Sequence, residues 1–389
     1  MGMPALQGRE VAVRVGLDAR TLAAEQRSGV EHYVVNLVRA MAARADAPEI
    51  IAYTDRPISD PGLAATVSRP PFSTRVIRAP RGWLQAALPW QLRRDRVQLA
   101  HFPSTLLPRL LPCPAVVTVH DLAWKRFPET YGKADLAMQK RALACASRAA
   151  HILSVSETTA RDLETAGIPR QRVTVTPLGV SPAFSPDGPH LVADAFPGAE
   201  RLMSGYLLYG EGLRPRKNLL RLLEAYRALR VGQELNSCPT AAPPLVLAGA
   251  ITAHARELHA KARELGVAEQ VVFPGYIAED LLPVLCRSAT AFVYPSLYEG
   301  FGLPVLEAMA SGVPVITSAT SATAEVAGDA ALLVDPQNTG EIASALARLL
   351  SDRSLRQELA QRGLARSRQF TWERTAGGTI AVYGRVLGA

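Results

Sequence analysis

The stretch "YPSLYEGFGLPVLEAMASGVPVITS", Tyr294 to Ser318, decides how this chain is read. The apolar run "ATAFVYPS" (289–296) leads into it, and "VPVITS" (313–318) closes it. Between the two, Pro304 suits a first helical turn and Gly312 suits a cap just beyond a last one, so the order is strand, loop, helix, strand. The loop then lies at the carboxyl end of a parallel strand, where open α/β sheets bind ligands. Gly300 and Gly302 would let the backbone approach such a ligand closely, and the helix start offers unpaired N–H groups to an anion. Two acids remain. Glu307, expected in the first helical turn, either complements the helix dipole or accepts hydrogen bonds from a vicinal diol such as a ribose. Glu299 is either solvated in the loop, or receives a second polyol, or stands beside a developing cation.

Outward from that stretch, short β-branched runs alternate with longer helical patterns. The first half has "VAVRVGL" (11–17), "EIIAYT" (49–54), "LAHFPS" (99–104), "PAVVTVHD" (114–121), "HILSVSE" (151–157) and "VTVTPLG" (173–179). Nearly continuous apolarity is what a strand covered on both faces requires, so these predict a parallel sheet. Val30, Val34, Leu37, Val38 and Met41 recur at helical spacing behind Gly29. The Pro-, Gly- and Asp-rich run 181–200 reads as a linker. Alternation restarts at 205–212, 244–250, 271–276, 289–296, 313–318 and 331–336. The expected fold is α/β, with two doubly wound Rossmann-like domains facing across a cleft. Residues 1–185 form the first, 186–203 the linker, 204–369 the second, and 370–389 a closing helix. "NSCPTAAPP" (236–244) looks like a surface insertion.

Composition narrows the class. The 389 residues are 48% hydrophobic and 20% charged, as in soluble globular proteins with two or three domains. No apolar run of about 18 residues is present, and the opening "MGMPALQGRE" lacks signal-peptide character, so a cytoplasmic protein is expected. Cys113, Cys145, Cys238 and Cys286 lie far apart and read as buried reduced thiols rather than a zinc site or disulfides. The net charge of +8 suits phosphate-bearing ligands or anionic lipid. No nucleic-acid partner is expected.

The E-x7-E spacing of Glu299 and Glu307, with G-F-G between and a strand before, resembles the signature of the retaining family 4 glycosyltransferases of GT-B fold. Further blocks are similar in order: "GLDARTL" with "SGVEHYVVNL", "VVTVHDLAWKRFPE", "ILSVSETTARDL", "VTVTPLGVSPAF", "LLYGEGLRPRKNLLRLLEAY" and "FTWERTAGGTIAVY". The resemblance implies that Glu299 contacts the donor sugar and Glu307 the nucleotide ribose. Gly300, Phe301, Gly302 and Leu303 would line the donor, Gly29 would supply backbone N–H from the opposite domain, and His120 would hydrogen-bond the sugar. A lone histidine is otherwise more often structural. Asp121 is expected to orient its loop or cap a helix rather than act as a base, and Ser156 to be an N-cap.

Cleaving a sugar–diphosphate bond needs positive charge at the leaving group. No D-x-D motif is present to hold a metal, so no metal or other cofactor is expected, and Arg216 and Lys217 at a helix start are assigned that role. Two cations repel the positive end of a helix, and a bound anion would relieve this. Glu211 stands where many relatives have arginine. The resemblance implies same-face transfer, with Glu299 positioning the sugar and the leaving phosphate deprotonating the acceptor. It is greatest to bacterial mannosyl- and rhamnosyltransferases of surface-polysaccharide assembly, implying mannose from GDP-mannose and a glycan or lipid-linked acceptor. A nucleotide-sugar epimerase of the same fold and a catalytically silent sugar-nucleotide binding module are the alternatives. A dehydrogenase lacks its G-x-G-x-x-G. "RVIRAPRGWLQAALPWQLRRDRV" (75–97) is either an interfacial segment for peripheral membrane contact, through Trp83, Leu84, Leu88 and Trp90, or an internal helix with a basic edge broken at Pro89.

Overall fold

The computed structural model describes residues 13–24, 29–79, 81–234, 242–250 and 253–388. The sequence opening, Val11 and Ala12 of the first run, and residues 236–241 of the insertion, Cys238 among them, lie outside the described residues.

Two parallel sheets carry the chain. The first contains β1 (Arg14–Asp18), β2 (Glu49–Thr54), β3 (Phe72–Val76), β4 (Leu99–Phe102), β5 (Ala115–Val119), β6 (His151–Ser154) and β7 (Val173–Val175), in spatial order β3-β2-β1-β4-β5-β6-β7. The second contains β8 (Leu207–Gly210), β9 (Leu245–Ala248), β10 (Val271–Val272), β11 (Ala291–Tyr294), β12 (Val315–Ser318) and β13 (Ala331–Val334), in order β10-β9-β8-β11-β12-β13. Every pairing among them is parallel. Both sheets reverse direction of growth once, between β1 and β4 and between β8 and β11. These are the switch points at which doubly wound sheets open a crevice.

The apolar runs form strands because both of their faces are covered. Along β2, Ile50 and Ala52 join one core while Ile51 and Tyr53 join the core on the other side. Strand β3 has no counterpart among the sequence expectations. "FSTRV" buries only Phe72 fully, as an edge strand can, so it carries no continuous apolar signal. The helix Gly29–Ala42 buries Tyr33, Val34, Leu37, Val38 and Met41 against the first sheet. The helix Trp372–Leu387 then returns from the second half and packs on it. There Tyr383 Oη sits 2.7 Å from His101 Nδ1, and Thr375 donates to the Pro177 carbonyl at 2.6 Å.

In the segment 75–97, a π-turn (Trp83–Ala87) runs into the helix Leu88–Arg94. Pro89 opens that helix instead of breaking it. Trp83 and Leu88 are buried, and Leu84 packs on the same core, so of the four apolar side chains only Trp90, 61% exposed, faces outward. Of the cysteines, Cys145 and Cys286 are buried free thiols, whereas Cys113 is only half-buried.

Candidate active site

The site forms where β8 and β11 end, at the switch point of the second sheet. After β8 the chain passes Glu211 and makes a 3-10 turn, Pro215–Lys217, before the helix Leu219–Glu234 begins. Arg216 and Lys217 therefore precede the helix rather than start it. Asn218 adopts a left-handed conformation (φ 64°) between turn and helix, and its side-chain amide donates to the carbonyls of Pro295 (3.0 Å) and Pro336 (2.6 Å). The loop after β11 is zipped to the same turn by Leu297 N–H on the Arg216 carbonyl at 2.9 Å. Both cations are thereby aimed at one carboxylate.

That carboxylate is Glu299. Lys217 Nζ donates to Oε1 at 2.7 Å and Arg216 Nη1 to Oε2 at 2.8 Å. Tyr294 Oη adds a bond at 3.1 Å, and the Ser296 hydroxyl another. Burial alone would raise the carboxyl pKa, but the charges of Lys217 and then Arg216 outweigh it and hold Glu299 at about 2. Glu299 is neither solvated nor a loose loop acid. The relief of cation repulsion that the sequence assigned to a bound anion comes here from the protein's own glutamates, because Lys217 also contacts Glu211. Neither Tyr294 nor Ser296 stood out as more than strand-end residues.

Position 300 is glycine because the other domain packs against it. A Cβ on Gly300 would lie 1.9 Å from the His120 carbonyl oxygen and 2.7 Å from the Asp121 Cβ, so this glycine admits the other domain. Its own carbonyl accepts from the hydroxyls of Ser156 (2.6 Å) and Thr159 (3.2 Å). Ser156 is the expected N-cap of the helix Glu157–Thr165, and at the same time a clasp between domains. From the second domain, Glu325 receives the N–H groups of Glu157 (2.9 Å) and Thr158 (3.1 Å) at that helix start. No local sequence signal pointed to Glu325. Gly302, at φ 106°, is the N-cap of the helix Leu303–Ala310 and abuts Thr323. Among the described residues, the N–H groups of Gly300, Phe301, Gly302 and Leu303 have no protein acceptor. Unpaired N–H groups at a helix start are the kind of donor that can hold an anion. The Phe301 ring points away, packed edge-on to Phe370 at 5.9 Å, so only its backbone is free for a donor.

Glu307 falls in the second helical turn, not the first. With no capping role, it borders a small recess lined by Phe184, Leu208, Leu282, Cys286 and Phe292. Burial, and then the charge of Glu211, push its pKa up to about 8. The acid is therefore largely protonated at neutrality, and a diol that donated to it would favour the ionised form.

From the first domain, His120 stands at the end of β5 against Gly300. Its Nε2 lies 3.0 Å from the Pro103 carbonyl, and its ring meets Tyr33 edge-on at 4.9 Å. A carbonyl only accepts, so Nε2 carries the proton, and burial lowers the ring's pKa. Nδ1 is left as an acceptor. Asp121 caps the following turn through Ala123 N–H at 2.9 Å, as expected of an orienting residue. Gly29, the first described residue of its helix, is exposed, with no described atom within 4 Å of where a Cβ would stand. The structure thus gathers His120, Arg216, Lys217, Glu299 and the 300–303 backbone at one domain junction. Glu307 borders the recess beside Gly210, within reach of the Glu211 charge, and among the described residues no contact joins Gly29 to the cluster.

Comparison with known proteins agrees with this arrangement. Residues 27–184 match the family model described as Glycosyltransferase Family 4, and residues 194–366 match Glycosyl transferases group 1. The chain is 31% identical to the O-antigen chain mannosyltransferase B of Escherichia coli, over 92% of this chain and 96% of that protein. It is 32% identical to the MMP alpha-(1->4)-mannosyltransferase of Mycolicibacterium hassiacum, over 70% of this chain and 62% of that protein. Among solved structures, the sucrose-phosphate synthase of Thermosynechococcus elongatus superposes with a TM-score of 0.74 at 22% identity, covering 97% of this chain and 99% of that one. The fold of these neighbours is GT-B, and so is this one.

Proposed function

Since the chain belongs to the glycosyltransferases of family 4 and group 1, we propose that it moves mannose from GDP-mannose to a hydroxyl of a glycan or lipid-linked glycan, with retention and without a metal. Mannose is supported by the two mannosyltransferase relatives. The guanosine carrier follows from the resemblance of the sequence blocks.

The observation that carries the chemistry is the pairing of Glu299 with both cations, at 2.7 and 2.8 Å, beside four open backbone donors. A carboxylate locked between two cations is a poor nucleophile, because attack on the anomeric carbon would break both ion pairs. Glu299 instead fixes Arg216 and Lys217 and accepts a sugar hydroxyl. The open N–H groups and the cations stabilise charge on the departing diphosphate. That diphosphate takes the acceptor's proton as the new bond forms on the same face. His120 accepts a bond from a sugar hydroxyl through Nδ1. Glu307 takes the ribose.

No described helix is long and apolar enough to cross a membrane. If the acceptor is lipid-linked, Trp90 with the Arg94 guanidinium 5.3 Å over its ring is the contact nearest to an interfacial anchor.

A donor panel with and without glycan acceptor tests the reading. Nucleoside diphosphate should be released from GDP-mannose in an acceptor-dependent way, undiminished by exhaustive chelation, with the product anomer matching the donor. Acceptor-independent conversion of the sugar would instead make this an epimerase, and binding without turnover a silent module.

A further inference from the structure

Lys217 has three N–H bonds and spends all of them inside the protein. One goes to Glu299 Oε1 at 2.7 Å, one to Tyr294 Oη at 2.7 Å, and one to Glu211 Oε2. The ammonium is sealed, with 1% of its side chain exposed. Its partners differ in access. Glu299 is 8% exposed, Tyr294 is fully buried, and Glu211 is 36% exposed. An anion coming from the cleft can therefore reach Lys217 only through the position Glu211 occupies. Charge leads to the same place. Within the hydrogen-bonded cluster Arg216 and Lys217 are balanced by Glu299 and Glu211, with the exposed Arg214 as the further cation whose charge reaches it. A diphosphate added to that cluster would meet two carboxylates and no uncommitted ammonium.

We infer that Glu211 is a displaceable stand-in for the donor's diphosphate: it holds Lys217 in the empty enzyme and swings into the cleft when a diphosphate takes its place. The inference rests on the proposed donor reading, and it deepens that reading by naming a residue that sets donor affinity. Glu211 lies at the free end of β8, held by its backbone N–H on the Ala248 carbonyl at 3.2 Å, so the side chain can turn without moving the strand. The carboxylate also keeps a buried cation paired between turnovers, which an unpaired Lys217 would otherwise lack. The single hydroxyl proton of Tyr294 lies within reach of both Glu211 and Glu299, so it can turn to Glu299 when Glu211 leaves.

The experiment is titration calorimetry with GDP and UDP on wild type, Glu211→Gln, Lys217→Met and the double variant, each first checked for a cooperative thermal transition well above the assay temperature. Glu211→Ala serves as a second probe where Gln perturbs folding. Removing the competitor should tighten nucleoside diphosphate binding about fivefold, the scale of one half-exposed ion pair. That gain should vanish in the Lys217→Met background, because there is then nothing to compete for. Unchanged or weaker binding by both Glu211 variants would overturn the inference. So would a gain that survives intact with Lys217→Met, which would mark simple repulsion at a distance. If neither nucleotide binds wild type or any Glu211 variant, the donor reading itself fails and this inference goes with it. A wild type that binds without any gain in the variants sinks the inference alone.

Discussion

Gly300→Ala separates two reasons a glycine could stand in this loop. If Gly300 makes room for the donor, alanine should leave the protein intact and weaken donor binding. The geometry predicts otherwise. The new Cβ would fall 1.9 Å from the His120 carbonyl oxygen, about 1.5 Å inside ordinary contact at 3.4 Å. The atom it meets is backbone at the end of a central strand, not a side-chain tip that could swing aside. Overpacking of this kind costs about 1–3 kcal/mol. Parting the surfaces also stretches the bonds from Ser156 and Thr159 to the Gly300 carbonyl, at 2.6 and 3.2 Å, each with a net worth of about 1 kcal/mol. The closed arrangement should thus lose roughly 3–5 kcal/mol. That loss falls on the junction between domains, since neither sheet is touched. Calorimetry should show the transition fall by about 5 °C or more or split in two, and small-angle scattering should show a larger radius of gyration. Turnover at saturating donor should drop with it, because His120 and Glu299 are brought together by this contact. An unchanged transition and radius, with only a raised donor Kd, would refute the reasoning and restore the ligand-approach explanation.

Lys217→Ala should lower turnover by about 10²–10³ with the fold retained, the scale of losing one electrostatic stabiliser, and turnover within a few-fold of wild type would remove Lys217 from the chemistry. Glu307→Gln tests the buried acid through pH. The folded pKa is raised to about 8, so the protonated form's contribution to stability is present in full below about pH 4.3, the unfolded value, and is lost as pH rises through 8. The variant should therefore gain thermal stability over wild type at pH 9, with the gap closing towards pH 4, and a gap that does not vary with pH would count against the assigned burial. For Glu299 the sign reverses. Its pKa is held at about 2, so its pairing stabilises above about pH 4.3 and is lost as pH falls towards 2, and wild type should lose stability over that window faster than Glu299→Gln does. His120→Asn places an acceptor oxygen near Nδ1 and should keep more activity than His120→Gln, which places one near Nε2. The reverse order would mean that the ring donates to the sugar.

What could be read in advance follows a physical line. Runs such as "EIIAYT" and "AVVTV" were legible because a strand covered on both sides must be apolar at nearly every position, and that requirement is local. Strand β3 was invisible for the same reason, since an edge strand with one fully buried residue has nothing to be continuous with. The acids at 299 and 307 were legible as a spacing, and their chemistry was not. The strength of Glu299 as an anion comes from cations more than eighty positions away, brought to it by a left-handed turn at Asn218. Glu307 was placed in the first turn because Pro304 marked the expected start; the helix begins one residue earlier, at Leu303 directly after Gly302, whose positive φ the sequence permits but does not demand, and Glu307 becomes its fifth residue.

Gly300 makes the point most sharply. Its freedom from a side chain was read correctly as a need for close approach, yet the approaching body is His120, some 180 positions earlier. A glycine shows that something must come near. Whether that is a ligand or the other half of the molecule is settled by tertiary packing. Here the two answers are connected, since the contact that excludes a methyl at Gly300 is the one that sets His120 beside the loop carrying Glu299. Ser156 at the helix cap, the Glu325 clasp and the missing side chain at Gly300 thus serve the candidate site through the domain contact: they fix the distance between two half-sites that neither domain can set alone.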